Sequence, residues 1–362
     1  MPPTSLSGAR STALVVPGRI ETRTGGYGYD RRIVAGLADR GWLVTVHELD
    51  DSFPWPTSAA LGEAARVLAA IPDGTPVILD GLAYGAMPAL VHDAARRLRL
   101  VALVHHPLAL ETGLSATAAA ALEASERDAL EAAHLVVVTS RPTVATLARY
   151  GVAPDRIVVV EPGTDPAPPA RGSGSATVAL LCVASVTPRK GHDVLISALA
   201  PLAQLDWHLT CVGGLDRDAG TVARLREQLV VAGLSDRVTF VGEAGGADLD
   251  ARYDRADVFV LPTRYEGYGM VVAEAVARGL PVVSTPTGAI ADLVPPDAGL
   301  LVPIGDAQAL SVALATMIRS AAVRAGFAHG ARAARGRLRT WTHAAAAMED
   351  ALLRVTADGV QR

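Results

Sequence analysis

The sequence predicts an α/β protein made of two doubly wound, Rossmann-like lobes in series. Three observations carry this. Short β-branched runs alternate with Ala/Leu/Arg-rich helical stretches, the rhythm breaks once at a Pro/Gly/Ser-rich segment, and 362 residues exceed one ordinary core.

In the first half the strand runs are Ala13–Val16, Val44–Val46, Val77–Leu79, Val101–Val104, Val136–Val138 and Ile157–Val160. They are apolar on both faces, as buried parallel strands should be. Helical stretches at Tyr29–Arg40, Ala86–Leu98, Ala116–Ala132 and Thr143–Arg149 alternate with them. The segment 166–175 has no periodicity and many breakers, and reads as a linker. The rhythm then restarts, with strands at Val178–Ala184, His208–Val212, Val238–Val241, Val258–Leu261, Pro281–Ser284 and Leu300–Val302. Helices are expected at His192–Ala203, Ala219–Ala232, Leu249–Arg255, Met270–Arg278 and Ala307–Ile318, and terminal helices over Ala321–Thr356. The domains predicted are 1–165, 176–335 and a C-terminal helical piece, 336–362, that packs on one or both lobes. Ligands of such sheets sit at the carboxyl ends of the strands, so two lobes facing across a cleft would share one site.

Composition excludes several function classes. A net charge of −4 and a pI of about 6.1 do not suit a general nucleic-acid binder. Cys182 and Cys211 sit inside apolar runs, which reads as two buried thiols in a reducing compartment, and no Cys-x-x-Cys pair suggests zinc. The polar stretch Met1 to Arg10 has no signal-like apolar core, and no apolar run reaches the roughly 20 residues of a membrane helix. A cytoplasmic protein is expected, with peripheral contact to a membrane left open. Lys190 is the only lysine among 33 basic residues, which marks a position where a compact ammonium is wanted.

The candidate site residues lie after strands. Thr24-Gly25-Gly26-Tyr27-Gly28 follows the first strand, where glycines admit a ligand to the backbone. Arg31 stands where a dinucleotide fingerprint wants its third glycine, so the stretch reads as a ligand loop or as a plain tight turn. Glu48 is a ribose ligand or an exposed strand-end carboxylate; Asp80 binds acceptor hydroxyls or caps a turn. His105 and His106 follow the fourth strand, and alternation brings one of them, His105 by preference, to a site. In the second half Thr187-Pro188-Arg189-Lys190-Gly191-His192 sets two cations at a helix start, which suits a diphosphate, although from these residues alone two solvated surface cations are the better reading. Glu266 lies in a glycine-rich loop, and Glu274 is set among the apolar residues Val271–Val276, where it needs a partner: sugar or ribose hydroxyls, or a salt bridge. Asp216-x-Asp218 and Asp248-x-Asp250 read as helix caps rather than metal ligands.

Glu266 and Glu274, with seven residues between them, together with Pro188-Arg189-Lys190-Gly191, Gly267-Tyr268-Gly269, Gly279-Leu280-Pro281 and Gly299-Leu300-Leu301-Val302-Pro303, resemble the Glu-x7-Glu pattern of family 4 of the retaining glycosyltransferases, which have the GT-B fold. The resemblance is specific from Val178 to Asp306 and looser before it. It implies a sugar transfer from a nucleoside-diphosphate sugar bound by the second lobe to an acceptor hydroxyl at the first, the acceptor being a small molecule, a glycan or a lipid-linked molecule. It implies no metal and no cofactor beyond the donor as co-substrate. In it Lys190 and Arg189 neutralise the diphosphate, Glu266 contacts the sugar, and Gly267, Tyr268, Gly269 and Met270 offer backbone groups. Glu274 binds the ribose, Gly25 and Gly26 face the phosphates, and His105 faces the sugar. Ser185 departs from the family, which usually has Arg there; Arg189, Arg19 or Arg23 would have to compensate. The rival readings are an NAD-dependent oxidoreductase, a sugar-nucleotide epimerase of the same fold, and a binding protein without catalysis.

Overall fold

The computed structural model describes residues 10–357, so most of the polar N-terminal stretch lies outside the described residues. The chain divides into two compact units: one runs to Gly163 and resumes at Arg339, the other is Thr164–Leu338.

The first unit holds β1 (Arg10–Pro17), β2 (Trp42–Leu49), β3 (Pro76–Asp80), β4 (Arg99–Val104), β5 (Leu135–Val138) and β6 (Ile157–Val159), in the order β2-β1-β3-β4-β5-β6. The second holds β7 (Val178–Val183), β8 (Trp207–Val212), β9 (Val238–Phe240), β10 (Val258–Leu261), β11 (Val282–Ser284) and β12 (Gly299–Leu301), in the order β12-β11-β10-β7-β8-β9. All these pairings are parallel. Each sheet therefore has a point where the strand order reverses, between β1 and β3 in the first and between β7 and β10 in the second. Crevices for ligands open there.

The central strands are buried throughout, Leu135–Val138 and Val258–Leu261 among them, because helices cover both faces. The strand around Val44–Val46 departs from the expectation of burial on both faces. It is an edge strand, and Leu43 is 64% exposed. One helix was missed, Ser58–Ala70, started by Thr57, whose side chain accepts from Ala60 N–H. The stretch Ala86–Leu98 shortens to a helix at Pro88–Ala94, preceded by a single turn at Gly81–Tyr84. Asp218 caps the helix at Ala219, as read, but Asp248 and Asp250 do not cap: they lie inside the first turn of Ala247–Asp254, and Asp250 pairs with Arg278.

The segment expected to be a linker has no regular structure but is bound along its second half. Ala170 N–H donates to Arg278 O and Gly172 N–H to Asp254 O, and the Arg171 guanidinium pairs with Asp254. These atoms hold it to the second unit. The last helix, Trp341–Ala357, lies on the first unit. Its Glu349 carboxylate, 6% exposed, accepts from the Trp42 indole N–H and pairs with Arg10 and Arg40. Gly36 lets that helix approach closely, since a Cβ there would stand 2.5 Å from the Ala345 Cβ. Among the described residues no single helix is long and apolar enough to cross a membrane. Cys182 and Cys211 are buried free thiols facing each other in register on β7 and β8.

Candidate active site

In the second unit the two loops that leave the carboxyl ends of β7 and β10 flank the point of reversal, and both carry predicted site residues. After β7 the chain makes a single turn at Pro188–Lys190, then passes through Gly191 into the helix His192–Leu199. Gly191 has φ +71°, and a Cβ there would fall on Pro262 O, so the two loops touch through a position only glycine fits. The contact is extended by hydrogen bonds. Arg264 N–H donates to Arg189 O at 2.7 Å, and Thr263 Oγ1 donates to the same carbonyl at 3.1 Å. Arg264 is anchored in turn by a two-pronged pair with Asp193, at 2.9 and 2.7 Å.

This frame brings Arg189, Lys190 and Glu266 together. Lys190 Nζ donates to Glu266 Oε1, and Arg189 Nη1 lies 3.7 Å from the same oxygen while donating to Tyr265 O at 2.9 Å. Gly288 belongs to the same cradle: a Cβ there would fall on Glu266 O, and the Glu266 N–H reaches Thr287 Oγ1 at 3.4 Å. Burial would raise the Glu266 pKa, but the Lys190 and Arg189 charges outweigh it and hold the carboxyl below its usual range. Burial also lowers the Lys190 pKa, and Arg189 adds to this against the pull of Glu266. Two cations thus share one carboxylate at the switch point, an arrangement that favours an incoming anion.

Gly267, Tyr268 and Gly269 complete the loop. Gly269, at φ +97°, starts the helix Met270–Ala277, which no side chain caps. One turn further, Glu274 is held by the Tyr253 hydroxyl, which donates to Oε2 at 3.0 Å. Burial raises the Glu274 pKa, against that hydrogen bond and the nearby Arg278. The partner that Glu274 has within the chain is therefore the Tyr253 hydroxyl. Ser185 lies on the β7 loop with Arg189 and Lys190, while Arg19 and Arg23 belong to the other unit; Arg19 is exposed and pairs with Glu21 at 3.8 Å.

In the first unit Gly25 and Gly26 are not a free loop. They form the first turn of the helix Gly25–Asp39, capped by Thr24, whose side chain accepts from Tyr27 N–H at 3.3 Å. Gly26 lies against His105, and a Cβ there would be 3.5 Å from the imidazole. His105 Nε2 faces Asp30 Oδ1 at 3.0 Å and Asp80 Oδ2 at 3.6 Å. Asp80 is a turn cap: its Oδ1 accepts from Leu82 N–H at 2.8 Å, while its other oxygen faces the imidazole. Glu48 is an exposed carboxylate at the end of β2. It accepts from Ile20 N–H at 2.8 Å and fixes the loop after β1. Arg31, in the place of the third glycine, binds the carbonyls of Ile20 and Thr22 in the same loop. Sequence reasoning missed Asp30; its signal was a carboxylate one turn after Gly26 on the inward side of an amphipathic helix.

Two family models match. "Glycosyltransferase Family 4" covers residues 34–168, and "Glycosyl transferases group 1" covers residues 177–320, which between them take in most of the chain. The chain belongs to family 4 of the glycosyltransferases. A D-inositol 3-phosphate glycosyltransferase from Salinispora arenicola is 34% identical to this family 4 chain over 57% of its length and 52% of the relative's. The chain thus spans about half the length of that curated relative. Among solved structures, sucrose-phosphate synthase from Thermosynechococcus elongatus matches with a TM-score of 0.82, 23% identity, and coverage of 96% of this chain and 100% of that one. HepE from Anabaena, in complex with UDP-glucose, matches with a TM-score of 0.75 and 19% identity over 95% and 99% of the two chains. These likenesses establish the GT-B fold for this family 4 member.

Proposed function

We propose that this chain is a retaining glycosyltransferase that moves a hexosyl group from a nucleoside-diphosphate sugar to an acceptor hydroxyl. The observation that carries the reading is the cluster of Arg189, Lys190 and Glu266 on two loops flanking the strand-order reversal, with Glu274 one turn down the following helix. Lys190 and Arg189 take the diphosphate, helped by the uncapped helix start at Gly269. Glu266 takes hydroxyls of the transferred sugar, and Glu274 takes the ribose. The anomeric C–O bond breaks with its electrons going to the β-phosphate oxygen, where the two cations stabilise the charge. The acceptor oxygen bonds to the anomeric carbon from the same face, and its proton goes to the leaving phosphate. No protein nucleophile is required, and no metal, because Arg189 and Lys190 supply the charge. The complex of HepE with UDP-glucose supports a donor of this class. The acceptor is a small molecule, a glycan or a lipid-linked molecule bound at the first unit, and the buried free thiols suit a cytoplasmic location. The oxidoreductase reading gives no account of Glu266 and Glu274, and Arg31 stands in the place of its third glycine.

The test is incubation with a panel of nucleoside-diphosphate sugars, with and without a cell extract as acceptor source, following free nucleoside diphosphate. Release from at least one donor, unchanged by EDTA, is expected. An α-configured product from an α-configured donor supports retention. Absence of both binding and release across the panel would sink the reading.

A further inference from the structure

Asp30 is fully buried, on the helix that begins at Gly25. Its Oδ1 is 3.0 Å from His105 Nε2, and its Oδ2 has no hydrogen-bond partner among the described residues. A carboxylate taken out of water with one oxygen unsatisfied is costly unless a positive charge stands beside it. The groups facing the imidazole are Asp30 from the helix, Asp80 from the end of β3, and the Tyr29 ring edge-on at 5.2 Å. His106, next in the chain, faces Glu111 at 3.9 Å instead. Among the described residues no cation appears in that set, and the group able to carry a positive charge against Asp30 is His105 itself.

We infer that Asp30 is a positioning residue for His105: it holds the proton on Nε2, turned into the protein, and so makes Nδ1 the ring nitrogen left for a substrate. An ionised carboxylate only accepts, so with Asp30 ionised the 3.0 Å contact needs an Nε2–H donor. Burial would lower the His105 pKa, yet the charge and hydrogen bond of Asp30, with Asp80 behind, carry it above its ordinary value. Asp80 contributes less because it is farther, one of its oxygens already caps a turn, and burial pushes its own pKa up to about 7. Any role of His105 in sugar transfer rests on the proposed function; its proton placement does not.

The test uses the full chain without donor, by side-chain ¹⁵N NMR of the histidines, with His105 assigned by loss of its signals in His105→Gln. The wild type should show an Nε2-bound proton and a titration midpoint above the ordinary value of roughly 6.5. Asp30→Asn keeps an acceptor without the charge, so the midpoint should fall by about one unit or more while Nε2 stays protonated. Asp30→Ala should lower the midpoint as well and release the tautomer. Once a donor is known, turnover should fall at least about tenfold in Asp30→Ala and less in Asp30→Asn, with the donor KM changed less than about threefold. An Nδ1-bound proton in the wild type, or a midpoint unchanged in Asp30→Asn, overturns the inference; Asn is nearly isosteric, so this arm stands if the Ala variant fails to fold. Failure of the proposed function would leave the NMR result untouched.

Discussion

Lys190 Nζ and Glu266 Oε1 form an ion pair joining the loop after β7 to the loop after β10, and Arg189 approaches the same carboxylate oxygen. The sole lysine is thus one half of an ion pair, which a donor bound as proposed would have to rearrange. Lys190→Ala is expected to weaken nucleoside diphosphate binding more than about tenfold, ~1.4 kcal/mol, as loss of a charge-assisted bond would. Glu266→Gln should do the reverse for the bare diphosphate, because it removes the competing anion, while turnover with intact donor falls steeply. Calorimetry of the two variants gives the comparison; equal losses of affinity would reject the pairing as the controlling contact.

Glu274 should act on the nucleotide rather than on the sugar. Glu274→Ala is expected to weaken nucleoside diphosphate binding by about tenfold, and Tyr253→Phe by a smaller factor, since it removes one neutral hydrogen bond to the carboxylate. Because burial raises the Glu274 pKa, its contribution as an acceptor should fade, as pH falls, above the usual carboxylate range. Binding isotherms from pH 8 to 5 should show this fall in the wild type and not in Glu274→Ala.

Glu126 is fully buried, accepts from Leu108 N–H at 2.9 Å, and has its pKa pushed up by burial to about 8. A folded pKa above the unfolded one contributes stability at low pH that is lost as pH rises, here between the unfolded carboxyl value and about 8. Glu126→Gln lacks this titration. Its Tm relative to wild type should therefore climb from pH 4.5 to 8 in thermal melts. Parallel curves would mean that Glu126 does not titrate late.

Glu349 carries the opposite sign. The hydrogen bond from Trp42, with Arg40 and Arg10, holds its carboxyl below the usual range. Its contribution is present above the unfolded carboxyl pKa and lost as pH falls through the lower folded one. Glu349→Gln should cost about 1–3 kcal/mol at neutral pH, and the deficit should shrink in acid. Chemical denaturation at pH 7 and pH 3.5 measures both.

The parts legible in the sequence were those set by local pattern. Fully buried strands such as Val136–Val138 and Val258–Leu261 announce themselves as unbroken apolar runs, and Glu266 with Glu274 stands out against apolar neighbours. What was not legible depended on long-range placement. Gly25 and Gly26 look like loop glycines, but Thr24 caps a helix that already contains them. Glu48 looked free until the loop after β1 folded back onto it. Asp30 drew no attention in the sequence, and only the arrival of β3 and β4 encloses it with Asp80 and His105. The segment 166–175 has a linker's composition, yet Asp254 and Arg278, far along the chain, secure it.

The helix Trp341–Ala357 backs the helix that carries Gly26 and Asp30, with Tyr29 edge-on to Trp341 and Arg32 above the Trp341 ring at 5.1 Å. Along the chain the first sheet comes early and this backing helix follows the whole second unit. The second unit can therefore mature while the nascent chain is still growing. The first must wait, with Trp42 and Arg40 lacking Glu349, until this helix has been made. A stop codon placed after Leu338 would then leave a sound second unit tethered to an unfinished first one, and a stalled ribosome would hold the chain in that state.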